Sequence, residues 1–253
     1  MTSVVRLLLA VLLGLALSGC SPNQHPSTSK DAIVVFAAAS LKQSFADIGH
    51  RFEKDNPGAT VEFSFAGSSD LVTQLTQGAA ADVFAAADTA SMDKAQRAGL
   101  IAGQPVNFAA NTLTIAVAPG NPKRINSFRD LTNSALSVVV CAAQVPCGSA
   151  TQKVEQAAGV ELKPVSEESS VAEVLNKVTT GQADAGLVYV TDVLGSGGRA
   201  EGVSLPESTD VVNTYPIAAL AQSKNASLAD EFVAMVSGPL GEEILAKAGF
   251  GKG

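Results

Sequence analysis

Past residue 32 the apolar positions fall into short strand-like runs that alternate with stretches of helical period, and this rhythm repeats along the chain. Ile33–Phe36 predicts a buried strand, and Leu41–Asn56 predicts a helix stopped by Pro57-Gly58. Thr60–Phe65 alternates as a strand, Ser69–Gln77 follows as a helix, Ala81–Ala85 is a short strand, and Thr89–Ala98 is a helix halted by Gly99. Thr112–Ala118 is a β-branched strand ending at Pro119-Gly120. The second half continues with strands at Ser137–Cys141 and Ala185–Val190 and helices at Gly148–Ala158 and Val171–Thr180. After the apolar segment Tyr215–Ala221, Ser227–Ser237 and Pro239–Ala248 predict two terminal helices. Strands alternating with helices predict an α/β fold with helices on both faces of each sheet, where ligands sit at the carboxyl ends of strands.

Two strand-to-helix junctions share a design. Ile33-Val-Val-Phe-Ala-Ala-Ala-Ser40-Leu41 and Val61-Glu-Phe-Ser-Phe-Ala-Gly-Ser68-Ser69-Asp70-Leu71 each run an apolar strand through small residues into a serine. The first turn of a helix has N–H donors without partners and the positive end of the macrodipole, so a serine there completes an oxyanion site without a cationic side chain. Alone, Ser40 or Ser68 reads equally well as an N-cap. Two such junctions in one chain raise the ligand reading.

The first thirty residues follow a different pattern. Arg6 precedes an apolar run, Leu7–Leu17, too short to span a bilayer permanently, and Leu17-Ser18-Gly19-Cys20 resembles a bacterial lipoprotein cleavage site. On that resemblance residues 1–19 are a signal peptide and Cys20 carries the lipid; an uncleaved anchor and a plain secretory signal are the alternatives. Ser21–Lys30 is polar and proline-containing, so residues 20–30 read as the lipidated cysteine and a flexible tether. The remaining apolar runs are short, and the rest is expected to be soluble.

Composition narrows the chemistry. The net charge is −7, from 17 basic and 24 acidic residues, and no Lys/Arg cluster is present, which argues against nucleic acid as a partner. Two histidines, His25 and His50, are too few for a zinc site or a His-based triad. The nucleophile-elbow, phosphate-loop and dinucleotide motifs are absent, so a secreted hydrolase using Ser68 or Ser149 lacks its base and no catalytic residue is assigned. Asp82 and Asp88 are expected as caps, because carboxylates would repel an anion.

In their order, Val35-Phe-Ala-Ala-Ala-Ser40-Leu41, Ser64-Phe-Ala-Gly-Ser68-Ser69, Ala81-Asp-Val-Phe-Ala-Ala-Ala-Asp88 and Gly186-Leu-Val-Tyr189 resemble the molybdate-binding proteins of bacterial ABC importers. The resemblance implies a two-domain periplasmic-binding-protein fold of type II. Domain I would be residues 31–111 plus 216–253 and domain II residues 112–215, joined by two crossover segments around a cleft that closes on molybdate or tungstate. It implies hydroxyl and amide donors from Ser40 and Ser68, backbone amides from Cys147 and Val171, the phenol of Tyr189, and a wall at Ala87. Pro146-Cys147-Gly148 stands where the family has Pro-Ala-Gly, a change that touches packing more than an amide donor. The implied partners are a permease, its ATPase and, through the anchor, the extracytoplasmic face of the cell membrane. The protein would act as a monomer, and the oxyanion would be its ligand, not a cofactor.

Donors alone select charge state as well as shape: a protonated oxyanion would bring a donor with no acceptor to meet it, so a bare dianion is preferred over hydrogen phosphate. Sulfate or another tetrahedral oxyanion is the alternative ligand. Ferric iron is disfavoured because Tyr189 and Tyr215 are far apart in sequence. In an oxidising compartment Cys141 and Cys147 could form a disulfide, closing a short loop beside the implied Cys147 amide; two independent thiols are the alternative.

Overall fold

The computed structural model describes residues 32–253. The signal, Cys20 and the tether lie outside the described residues. In chain order the strands are β1 (Ala32–Ala38), β2 (Thr60–Ala66), β3 (Val83–Ala85), β4 (Val106–Asn111), β5 (Leu113–Val117), β6 (Val138–Cys141), β7 (Ser166–Glu168), β8 (Ala185–Tyr189), β9 (Glu201–Val203) and β10 (Asn213–Ala219). The helices are α1 (Lys42–Asp55), α2 (Ser68–Thr76), α3 (Thr89–Arg97), α4 (Pro146–Ala158), α5 (Val171–Thr179), α6 (Val190–Leu194), α7 (Ala226–Ser237) and α8 (Pro239–Lys247).

These strands make two five-stranded mixed sheets, ordered β2-β1-β3-β10-β4 and β7-β6-β8-β5-β9. In the first, β1 runs parallel to β2 and β3 while β10 is antiparallel to β3 and β4. In the second, β6 runs parallel to β7 and β8 while β5 is antiparallel to β8 and β9. The chain passes from the first sheet to the second at Thr112 and returns between β9 and β10. The result is two α/β lobes.

Burial explains the composition of the strands. β1 carries no polar side chain because helices cover both of its faces. On one face Phe45, Ile48 and Phe52 of α1, spaced three and four apart, pack with Phe232 of α7, whose ring meets Phe45 and Phe52 edge-on at 6.0 and 5.3 Å. On the other, Phe36 and Phe84 meet Leu71 and Leu75 of α2 and Met92 of α3. The second lobe has its own core around Ile115, Val139, Val154, Val174 and Leu187. Each such side chain, fully buried, contributes about 1.5–3 kcal/mol of transfer free energy.

The structure departs from the sequence reading at β4, β7, β9 and α6, which the apolar pattern did not predict. β4, β7 and β9 are edge strands; Ser166-Glu167-Glu168 and Glu201-Gly202-Val203 carry the polar residues that edges tolerate and that hide a strand from a hydrophobicity scan. The strand predicted to Val190 stops at Tyr189, and Val190 opens α6. Helix α4 starts at Pro146, two residues before the predicted Gly148, because the fixed φ of proline suits a first helical position. Among the described residues no helix is long and apolar enough to cross a membrane.

Candidate functional site

The parallel pairing of β1 with β2 brings the two serine junctions together. Ala38 is in register with Ala66, so Ser40 and Ser68 each lie two residues beyond paired strand ends and meet in one crevice. Opposite them the second lobe contributes the first turn of α4, the start of α5 and the end of β8. All six residues singled out in the sequence, Ser40, Ser68, Ala87, Cys147, Val171 and Tyr189, line a single small cavity there, closed off by Ala38, Ala39, Ala66, Gly67, Val145 and Pro146. The cavity volume is about 10 Å³. Among the described residues no Lys, Arg, His, Asp or Glu lines it.

Neither serine is used as a helix cap. Ser40 lies inside a 3₁₀ turn, Ala39–Leu41, and Ser68 is the first residue of α2 behind Gly67, with no side-chain cap bond at either start. True caps do occur nearby: Ser170 accepts from the Glu173 N–H at the start of α5, and Asp88 accepts from the Ser91 N–H at the start of α3. Asp82, expected as a cap, instead ties β1 to a distant loop by accepting from the Val34 N–H at 2.8 Å and the Ser223 hydroxyl at 2.6 Å.

The hydroxyls are held for another purpose. Ser68 is 1% exposed, and its Oγ accepts the Ala87 N–H at 3.0 Å, so its own proton has no acceptor among the described residues. The Ala87 backbone is then fully engaged, because its carbonyl accepts from Asn213 Nδ2 at 2.9 Å; Ala87 is a wall and not a donor. The Tyr189 side chain is 1% exposed and its Oη has no hydrogen-bond partner among the described residues. Ser40 Oγ lies 3.0 Å from Tyr215 Oη.

Three helices also begin at this cavity: α2 at Ser68, α4 at Pro146 and α5 at Val171. Their first-turn N–H groups have no intrahelical acceptor, and their dipoles place partial positive charge on the cavity. Cys147 is the second residue of α4, behind a proline without an N–H, and a disulfide joins it to Cys141 at the end of β6. Gly148 follows because a Cβ there would lie 2.0 Å from the Ala142 carbonyl, so only glycine lets α4 start this close to the end of β6.

Burial also sets the protonation. Desolvation raises the Tyr189 phenol well above its ordinary value, with Tyr215, Asp88 and Asp192 adding to the shift, so the hydroxyl stays protonated as a donor. Tyr215 is raised by burial in the same way, and the neighbouring Ser40, Asn111 and Tyr189 side chains oppose the shift. Asp192, at the rim of the interlobe cleft, is raised to about 7 by burial, partly offset by the Tyr189 N–H that it accepts at 2.9 Å. A partly protonated Asp192 places less negative charge beside the cavity.

Tyr215 and Asp192 were not assigned to the site from the sequence. Tyr215 is far from both serines along the chain, yet its ring lies edge-on to Tyr189 with centroids 5.9 Å apart. The two tyrosines separated in sequence are therefore neighbours in space. Separation in sequence thus gives no ground against ferric iron in the structure.

Comparison with known proteins identifies the family. Residues 33–251 match the profile of the family described as bacterial extracellular solute-binding protein. Proteins named molybdate-binding protein ModA from Mycobacterium tuberculosis and Mycobacterium bovis are 54% identical over 97% of this chain and 96% of their own length. ModA of Escherichia coli is 30% identical over 86% of this chain and 88% of its own. Among solved structures, the Azotobacter vinelandii periplasmic molybdate-binding protein superposes with a TM-score of 0.76 at 20% identity, covering 86% of this chain and 98% of that one, which shows the shared two-lobe fold. The chain belongs to the bacterial extracellular solute-binding protein family, and molybdate-binding proteins are among its relatives.

Proposed function

We propose that this protein captures molybdate or tungstate as a bare tetrahedral dianion between its two lobes and presents the closed form to the permease and ATPase of an ABC importer. Ser40, Ser68 and Tyr189 donate hydroxyl protons, the first turns of α4 and α5 donate the Cys147 and Val171 amides, and Ala87 shapes the wall. The lipid-anchored, extracytoplasmic placement rests on the Leu17-Ser18-Gly19-Cys20 signal.

One observation carries the reading: hydroxyl protons from both lobes, at Ser68 and Tyr189, are buried without an acceptor and converge on one cavity with no charged side chain in its lining. An unsatisfied buried hydroxyl costs about 1–3 kcal/mol, so a protein keeps several together only where a ligand accepts from them. Each hydrogen bond to a charged acceptor returns roughly 1.5–3 kcal/mol, and a handful of them outweigh an association cost of about 4–15 kcal/mol. That leaves micromolar affinity or better.

Titration calorimetry with molybdate, tungstate, sulfate and phosphate at pH 8 tests this. The expected result is tight binding of the first two and weak binding of the last two. Sulfate binding as tightly as molybdate would change the reading to a general oxyanion carrier, and no binding of any of the four would end it.

A further inference from the structure

We infer that Tyr215 is a positioning residue that sets the charge-state specificity of the site, by forcing Ser40 to act as a donor toward the ligand; the inference rests on the oxyanion reading above. The geometry is a short chain of hydroxyls. Tyr215 lies on β10, the strand that returns the chain to the first lobe, and it is 0% exposed. Its ring is held edge-on by Phe108, Phe250 and Tyr189, with centroids 6.3, 5.5 and 5.9 Å away. Its Oη meets Ser40 Oγ at 3.0 Å, and either oxygen could donate on distance alone.

Burial decides the direction. A buried O–H needs an acceptor, and Ser40 Oγ is the one acceptor that meets Tyr215 Oη in hydrogen-bond geometry among the described residues; the Asn111 amide, a donor, and the Tyr189 hydroxyl lie near it without completing a bond. If Ser40 donated to Tyr215, the phenol proton would be left buried and unmet. Tyr215 therefore donates, occupies a lone pair of Ser40, and leaves the serine proton to turn into the cavity. Ser68 is fixed by the same logic through the Ala87 N–H. Tyr215 and Ala87 thus convert two ambivalent hydroxyls, each able to donate or accept, into committed donors. A cavity of committed donors suits a bare dianion and penalises an anion of similar shape that carries a proton.

Tyr215→Phe tests this, because it keeps the packed ring and removes one oxygen. Ser40 then has a lone pair free to accept a proton from the ligand. Sulfate and hydrogen phosphate are close in shape and differ in that proton, so their ratio, read by competition against molybdate at pH 8, reports donor commitment apart from cavity size. The expected result is roughly tenfold weaker molybdate and sulfate, hydrogen phosphate unchanged or tighter, and a sulfate-to-hydrogen-phosphate preference reduced by about tenfold. Ser40→Ala should weaken molybdate without favouring hydrogen phosphate, since it offers neither proton nor lone pair. A purely structural Tyr215 would lower the melting temperature and weaken both anions by one common factor, or change neither; either result overturns the inference. If the unsubstituted protein binds no oxyanion, the functional reading fails as well, so the two failures are distinguishable.

Discussion

On the proposed function Tyr189 is costly for folding and useful for binding. Its phenol is buried, raised above its ordinary value by that burial, and without a partner among the described residues. Tyr189→Phe removes the unmet hydroxyl and retains the ring against Tyr215, so the ligand-free variant should gain about 1–3 kcal/mol. At roughly 2–4 °C per kcal/mol for a chain of this size, its melting temperature should rise by several degrees. The same variant should bind molybdate about ten- to a hundredfold more weakly, the loss of one charge-assisted hydrogen bond. Calorimetric melting with and without molybdate checks both; a variant that is destabilised when empty, or that binds at full strength, would show the hydroxyl to be structural. At this scale the sequence displayed Ser40, Ser68 and Tyr189 because strand ends are legible from apolar runs. It did not display which way each hydroxyl points. That direction depends on Tyr215, 175 residues from Ser40, and on Ala87, 19 residues from Ser68.

The site is assembled from element ends, and the apolar pattern locates those of buried strands well and those of edge strands poorly. β1, β6 and β8 were readable because burial on both faces demands unbroken apolar runs, and the edge strand β2 because its apolar and polar residues alternate, whereas β7 and β9 are half-wet edges of three residues. Helix α4 starts earlier than its apolar period implies because Pro146 supplies a preset first turn. The disulfide adds to this by tethering Cys147 to the end of β6 with a sequence separation of 6. On the chain-entropy account such a short loop stabilises by about 2 kcal/mol. Replacing both cysteines by serine should therefore lower the melting temperature by about 4–8 °C. It should also weaken molybdate binding, since the turn presenting the Cys147 amide gains freedom that binding must remove. Equal melting temperatures for the disulfide form and the double variant would show that the bridge does not restrain the unfolded chain.

For the whole molecule the relevant quantity is how closely the lobes can approach. The alternation of strands and helices indicated an α/β fold and the family resemblance implied two lobes, but the approach distance depends on residues far apart in sequence that meet only across the cleft. Gly67 is one such point: a Cβ built there would lie 2.1 Å from the Ser169 carbonyl oxygen, just before α5 in the other lobe. Its backbone, at φ −60° and ψ 139°, is one that alanine adopts without strain. Gly67→Ala therefore leaves each lobe free to fold and obstructs only their closure, because the Cβ is fixed by its own backbone, the carbonyl it meets is backbone, and neither can swing aside. Gly67 is buried between the lobes here, but with the lobes apart the added methyl meets no atom of Ser169. The empty variant should therefore melt within about 2 °C of the unsubstituted protein, the small effect, roughly 0.5 kcal/mol, of a substitution free of a clash. Molybdate at a hundred times the native Kd should stabilise the unsubstituted protein by about 2.7 kcal/mol, several degrees, and the variant by much less. Small-angle scattering in saturating molybdate should show the unsubstituted protein contracting and the variant remaining extended. A variant that contracts and gains the full thermal shift would mean that the lobes do not have to touch at Gly67 to hold the anion, and that donors from one lobe suffice.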